Sequence, residues 1–156
     1  MSSVVSRTVV RTQKWGWGIL LAVSAMLALN GVALYFISAS PATFEQDTGV
    51  SMAEVRQSFP TVAEHVVWEG QTTSMLLASL GLLALVVALG GFRSGSRWAW
   101  NAMWVLVGIL AVFSIVFILI AGRFDIGGFY LIFLVVALIG QILARERPSL
   151  PARDAG

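Results

Sequence analysis

WAWNAMWVLVGILAVFSIVFILIA, residues 98–121, runs for 24 residues without a charged side chain. As an α-helix rising 1.5 Å per residue it is about 36 Å long, enough to cross a hydrocarbon core of about 30 Å. Residues 15–38, 74–91 and 126–144 repeat the pattern, each uncharged over 18 to 24 residues. Such runs predict four transmembrane helices and an all-α, polytopic membrane protein. The connections between the second, third and fourth runs are short, which forces antiparallel neighbours. The expected fold is therefore an antiparallel four-transmembrane-helix bundle.

Composition agrees. Of 156 residues, 58% are hydrophobic and 12% charged, where a soluble domain carries about 25% charged residues. The four runs take more than half of the length and leave no room for a second folded domain. The expected division is a tail over 1–14, a transmembrane domain over 15–144 with a partly helical loop at 39–73, and a tail over 145–156. The chain has no cysteine and a single histidine, His65. Disulfides, thiolate metal sites and thiol nucleophiles are thereby excluded.

The charges sort by side. Arg7, Arg11 and Lys14 precede the first run, Arg93 and Arg97 separate the second from the third, and Arg145, Arg147 and Arg153 follow the fourth. Only Arg56 and Arg123 fall in the other two loops, eight basic residues against two. The positive-inside rule places both termini and the loop 92–97 in the cytoplasm, in a cell (plasma or inner) membrane. Six of the eight acids lie on the opposite side: Glu45, Asp47, Glu54, Glu64, Glu69 and Asp125. The net charge of +2 is then a topology signal. Basic residues scattered over three short segments make no nucleic-acid surface. The first run is too long for the 7–15-residue core of a signal peptide, so it reads as an uncleaved signal anchor.

The loop 39–73 opens on Ser40-Pro41, a turn signal. Two capping boxes follow, Ser51-Met52-Ala53-Glu54 and Thr61-Val62-Ala63-Glu64. They predict a short helix near 52–58 and a second start near 62, running on into the second span. A tandem duplication of a helical hairpin is also readable. Lys14-Trp15-Gly16-Trp17 matches Arg97-Trp98-Ala99-Trp100, and residues 85–91 (LVVALGG) match 134–140 (LVVALIG). Interfacial Trp beside Lys or Arg produces the first match without common descent.

Four groups of residues are candidates for function. Glu64, His65 and Glu69 share a predicted helix, with His65 and Glu69 four apart on one face, a spacing suited to a metal or a proton relay. A metal needs three or four ligands, and no second His or Cys exists to complete the set. The alternative is a solvated face near the headgroups. Asn30, Asn101 and Gln141 are the amides within the spans, readable as packing hydrogen bonds or as ligand contacts. No Asp, Glu, Lys, Arg or His falls inside any run, so the charged relay that proton-driven transporters use is absent. Small residues at Gly18, Ala22 and Ala25, and at Ser74, Ala78, Gly81, Ala84 and Ala88, mark a close contact of the first two helices or a homodimer face. Trp15, Trp17, Trp98, Trp100 and Trp104 read as interfacial anchors. Alternatively Trp100 and Trp104, with Asn101 and Arg97, line a headgroup pocket.

In its four apolar runs and the Arg97-Trp98-Ala99-Trp100 opening of the third, the chain resembles the uncharacterised small four-helix integral membrane proteins of bacteria. The resemblance implies a bacterial inner membrane and carries no catalytic residue across. No motif names a reaction, and no cofactor is expected. The expected role is a non-enzymatic accessory or scaffold subunit that meets the lipid bilayer and a membrane-protein partner or a second copy of itself, with no nucleic acid. The alternative is a small lipid, quinone or small-molecule binding or transport protein without a proton relay. A membrane enzyme built on Glu64, His65 and Glu69 is the third possibility.

Overall fold

The structure, a computed structural model, describes residues 2–92 and 96–144. Arg93, Arg145, Arg147 and the tail over 145–156 lie outside the described residues. The fold is all helix: α1 (Ser2–Ile37), α2 (Pro41–Thr48), α3 (Met52–Ser58), α4 (Pro60–Val87), α5 (Arg97–Ile115) and α6 (Phe124–Ala144). Wider π turns extend α4 over Ala88–Phe92 and α5 over Val116–Ile120. Four segments are long and apolar enough to cross a membrane: Lys14–Ile37, Pro60–Gly91, Arg97–Ile120 and Phe124–Ala144. These are the proportions of a multi-pass membrane protein.

Several boundaries differ from the sequence reading. The helix of the first span starts at Ser2, not at residue 15. Residues 2–14 contain neither Gly nor Pro, so nothing in their backbone chemistry stops the hydrogen-bond ladder where the apolar run ends. The second long helix starts at Pro60, with proline where its missing N–H costs nothing. Thr61 is therefore inside the helix and is not its cap. It continues through Gly70 into the apolar run. Ser51 does cap α3, its hydroxyl accepting from Ala53 N–H at 3.2 Å. The Ser40-Pro41 pair opens an additional helix, α2, because proline suits the first helical position as well as it suits a turn.

The chain divides into two compact units. One comprises Ser24–Leu83. In it α1 and α4 pack antiparallel through reciprocal small pairs: Gly31 lies against Ala78 and Gly81 against Ala28. A Cβ on either glycine would collide with the facing backbone, so only glycine allows this approach. This corrects the face expected on the first helix. Gly18 has open space around it and Ala22 is exposed; Ala28 and Gly31 carry the contact.

The other unit comprises Met1–Val23 and Ala84–Gly156. Here α5 and α6 pair antiparallel, with Trp100 opposite Gln141, Phe113 opposite Tyr130 and Ile118 opposite Gly127. Gly16 and Leu20 of α1 lie against Ala144 and Gly140 of α6. Leu20, Met103 and Leu110 are fully covered. Tyr130 stacks on both Phe113 and Phe117, with ring centroids 5.3 and 5.7 Å apart. The turn from α5 to α6 uses Gly122 at φ 65°, a left-handed conformation that glycine adopts freely. Arg123 N–H then reaches back to Phe117 C=O at 2.8 Å.

Candidate functional site

Among the described residues, the polar side chains buried in the fold are Ser24, Ser74, Ser114 and Gln141. The serines need little explanation. Ser74 and Ser114 donate to carbonyls one turn back, Gly70 at 2.7 Å and Leu110 at 2.8 Å, which is how a hydroxyl is accommodated inside a helix in an apolar surround. Gln141, completely buried, differs in bonding across to the neighbouring helix. Its Nε2 donates to Trp100 C=O at 2.7 Å, and Trp100 Nε1 points back to Gln141 C=O at a long 3.4 Å. Its Oε1 meets no partner among the described residues.

The other two amides are placed apart from this pair. Asn30 is half-buried in α1, and Asn101 is exposed on α5. Arg97 is exposed too, and Trp104 is 39% exposed. A headgroup pocket built from Trp100, Trp104, Asn101 and Arg97 is therefore not assembled. Instead Trp104 meets Trp100 edge to face at 5.8 Å, while Trp100 turns inward to α6.

Four of the five candidate anchor tryptophans separate into two kinds. Trp15 and Trp98 are 63% and 59% exposed, as membrane anchors are. Trp17 and Trp100 are half-buried and tie helices together. Trp17 Nε1 donates to Ala88 C=O at 2.8 Å, and Ala88 is the residue at which α4 widens into its π turn. Lys14 is exposed beside Trp15, and Arg11 falls within α1.

Glu64, His65 and Glu69 all lie exposed on the first turns of α4. His65 stacks on Trp68 with centroids 6.0 Å apart. Among the described residues no three His, Asp or Glu side chains gather to hold a metal ion. Glu69 differs from Glu64 in its surroundings. It lines a cavity of about 350 Å³ together with the hydroxyl residues Ser38, Thr43, Thr73 and Ser74.

Two features escaped the sequence reading. Arg123 grips Asp125 through two guanidinium nitrogens, Nε at 3.1 Å and Nη2 at 2.9 Å, across the turn into α6. The Arg-x-Asp spacing beside Gly122 was the available signal. The cavity had no such signal, because its walls come from three helices.

No family model matches the chain, and neither does any curated protein or solved structure. The resemblance to bacterial four-helix proteins thus rests on hydropathy and the Trp-rich opening of α5.

Proposed function

We propose that the chain is a multi-pass protein of the bacterial inner membrane, acting as a non-enzymatic accessory or scaffold subunit of a larger membrane assembly. Its four spans form an antiparallel bundle with both termini cytoplasmic. One observation carries the reading. Only about a third of the residues in each span's most apolar window are buried, and among the described residues what is buried includes no Asp, Glu, Lys, Arg or His. The apolar side chains left outside are large: Phe36, Leu76, Leu119 and Ile132 are each at least 65% exposed. A chain whose described interior holds no acid, amine, guanidinium or imidazole, and whose apolar perimeter is extensive, is suited to offering surface rather than chemistry.

A hairpin duplication belongs to the same proposal. The second Trp of each Lys/Arg-Trp-x-Trp element donates its indole proton to a carbonyl late in a following long helix, Trp17 to Ala88 and Trp100 to Gln141. Residues 85–91 align with 134–140, so Gln141 stands about one turn beyond the position equivalent to Ala88, and the correspondence supports two similar hairpins only in outline.

The test is extraction of tagged protein from its own host into lipid-preserving particles, followed by mass spectrometry of what is retained. One stoichiometric membrane-protein partner is the expected result. Recovery of this chain alone, at native expression, removes the accessory role. The cavity beside Glu69 favours a second reading, a small lipid or small-molecule binding protein.

A further inference from the structure

The cavity, about 350 Å³ and open rather than enclosed, lies wholly within the unit Ser24–Leu83, where the end of α1 meets α2 and the first half of α4. Its volume falls in the range of small-ligand sites, about 300–1,000 Å³. The chemistry of its lining is one-sided. Ser38 has committed its hydroxyl proton to Tyr35 C=O at 3.1 Å, and Ser74 has committed its own to Gly70 C=O at 2.7 Å. Both oxygens are left with lone pairs to offer and no proton. Thr43 and Thr73 add two further hydroxyls, each able to donate as well as accept, and Glu69 adds the single charge. No lysine, arginine or histidine lines the cavity, and among the described residues no basic side chain forms an ion pair with Glu69. The remaining wall is aliphatic, from Leu34, Ile37 and Val66.

An acceptor-rich, negatively charged recess beside aliphatic side chains selects its ligand by elimination. An anion finds no cationic partner. A quinone offers only carbonyl acceptors; Thr43 and Thr73 could donate to it, but it leaves the Glu69 charge and the Ser38 and Ser74 oxygens unanswered. A bare divalent ion needs about six or more oxygen ligands, several of them charged, and the cavity has one carboxylate. A primary ammonium carries three donors and a positive charge, and methylenes attached to it would lie along the aliphatic wall. We propose that this cavity binds the primary ammonium head of an amphiphile, with Glu69 as its counter-ion and the hydroxyl oxygens as additional acceptors. This inference is independent of the accessory role. Its source is either an ethanolamine-type lipid headgroup or a free long-chain amine.

The full-length protein in phosphatidylcholine nanodiscs, whose headgroups have no N–H to donate, is titrated with dodecylammonium and followed by calorimetry. Saturable one-site binding is expected. Glu69→Gln, an exposed and nearly isosteric change, weakens it about tenfold or more, the usual scale of a charge-assisted hydrogen bond. Glu64→Gln, on the same helix but outside the cavity, leaves it unchanged. Repeating the titration in discs containing phosphatidylethanolamine separates the sources. Loss of dodecylammonium binding there identifies the lipid headgroup as the occupant, and retained binding identifies a free amine. Uptake that never saturates, or equal affinity in wild type and Glu69→Gln, overturns the proposal.

Discussion

Gln141 spends one end of its amide and not the other. Its Nε2 holds Trp100 C=O, while Oε1 sits buried without a partner among the described residues. A buried acceptor left unpaired costs about 1–3 kcal/mol, and a made hydrogen bond returns about 0.5–1.5. The two nearly cancel, so Gln141→Leu is expected to change stability by no more than about 1 kcal/mol, read from thermal unfolding in detergent. Gln141→Glu is expected to cost about 3 kcal/mol or more, because it removes the donor to Trp100 and buries a carboxyl where no cation answers it. A Leu variant that collapses while the Glu variant folds normally contradicts this account. The two tryptophans of the α1 opening give a matched comparison. Trp17→Phe deletes the bond to Ala88 C=O and should cost about 1 kcal/mol. Trp15→Phe, on a side chain 63% exposed, should stay within about 0.5. Equal melting temperatures for the two variants would mean that the Trp17 bond contributes nothing.

Helix contacts show where sequence reading reached and where it stopped. The span positions were legible because long uncharged runs leave the backbone one choice in lipid, an internally hydrogen-bonded helix. The contacting faces were not legible. A helix that is apolar on every side has no polar face to betray its orientation, and small residues on α1 recur on both sides. Gly18, Ala22 and Ala25 formed the more obvious stripe, yet Ala28 and Gly31 meet Ala78 and Gly81. The site suffered the same limit. Gln141 was visible as a polar residue, but its pairing with Trp100 spans 41 residues, and no local pattern encodes that. In the sequence Glu69 stands out only for His65 one helical turn before it, whereas its surroundings come from α1 and α2. The contact face yields its own prediction. Gly31→Val and Gly81→Val each push a side chain into facing backbone and should destabilise by about 3 kcal/mol or more, at or above the top of the usual overpacking range. Gly18→Val and Gly108→Val, with open space beside them, should change the melting temperature little. Tolerance at Gly31 and intolerance at Gly18 would restore the original stripe.

At the scale of the molecule, the four candidate spans, if each crosses, put both ends of the chain on the same side. The choice of side then falls to charge. Basic residues near the span ends resist translocation, and eight of ten lie in the two tails and the loop 92–97. Arg123, one of the two exceptions, is engaged by Asp125 at 2.9 Å. Pairing does not decide translocation, however, since acids contribute little to the rule. The eight-to-two bias is large without it. The absence of cysteine makes this topology directly measurable, because any thiol introduced is the single label site. Ser3→Cys, Ser94→Cys and Ala152→Cys are expected to resist a membrane-impermeant maleimide in intact cells and to react after lysis. Ser58→Cys, at the end of α3, is expected to react in intact cells. The inverse pattern would reverse the orientation while keeping four spans. Labelling of Ser3→Cys and Ala152→Cys from opposite sides would mean an odd number of crossings. One of the four apolar helices would then lie within the membrane without passing through it.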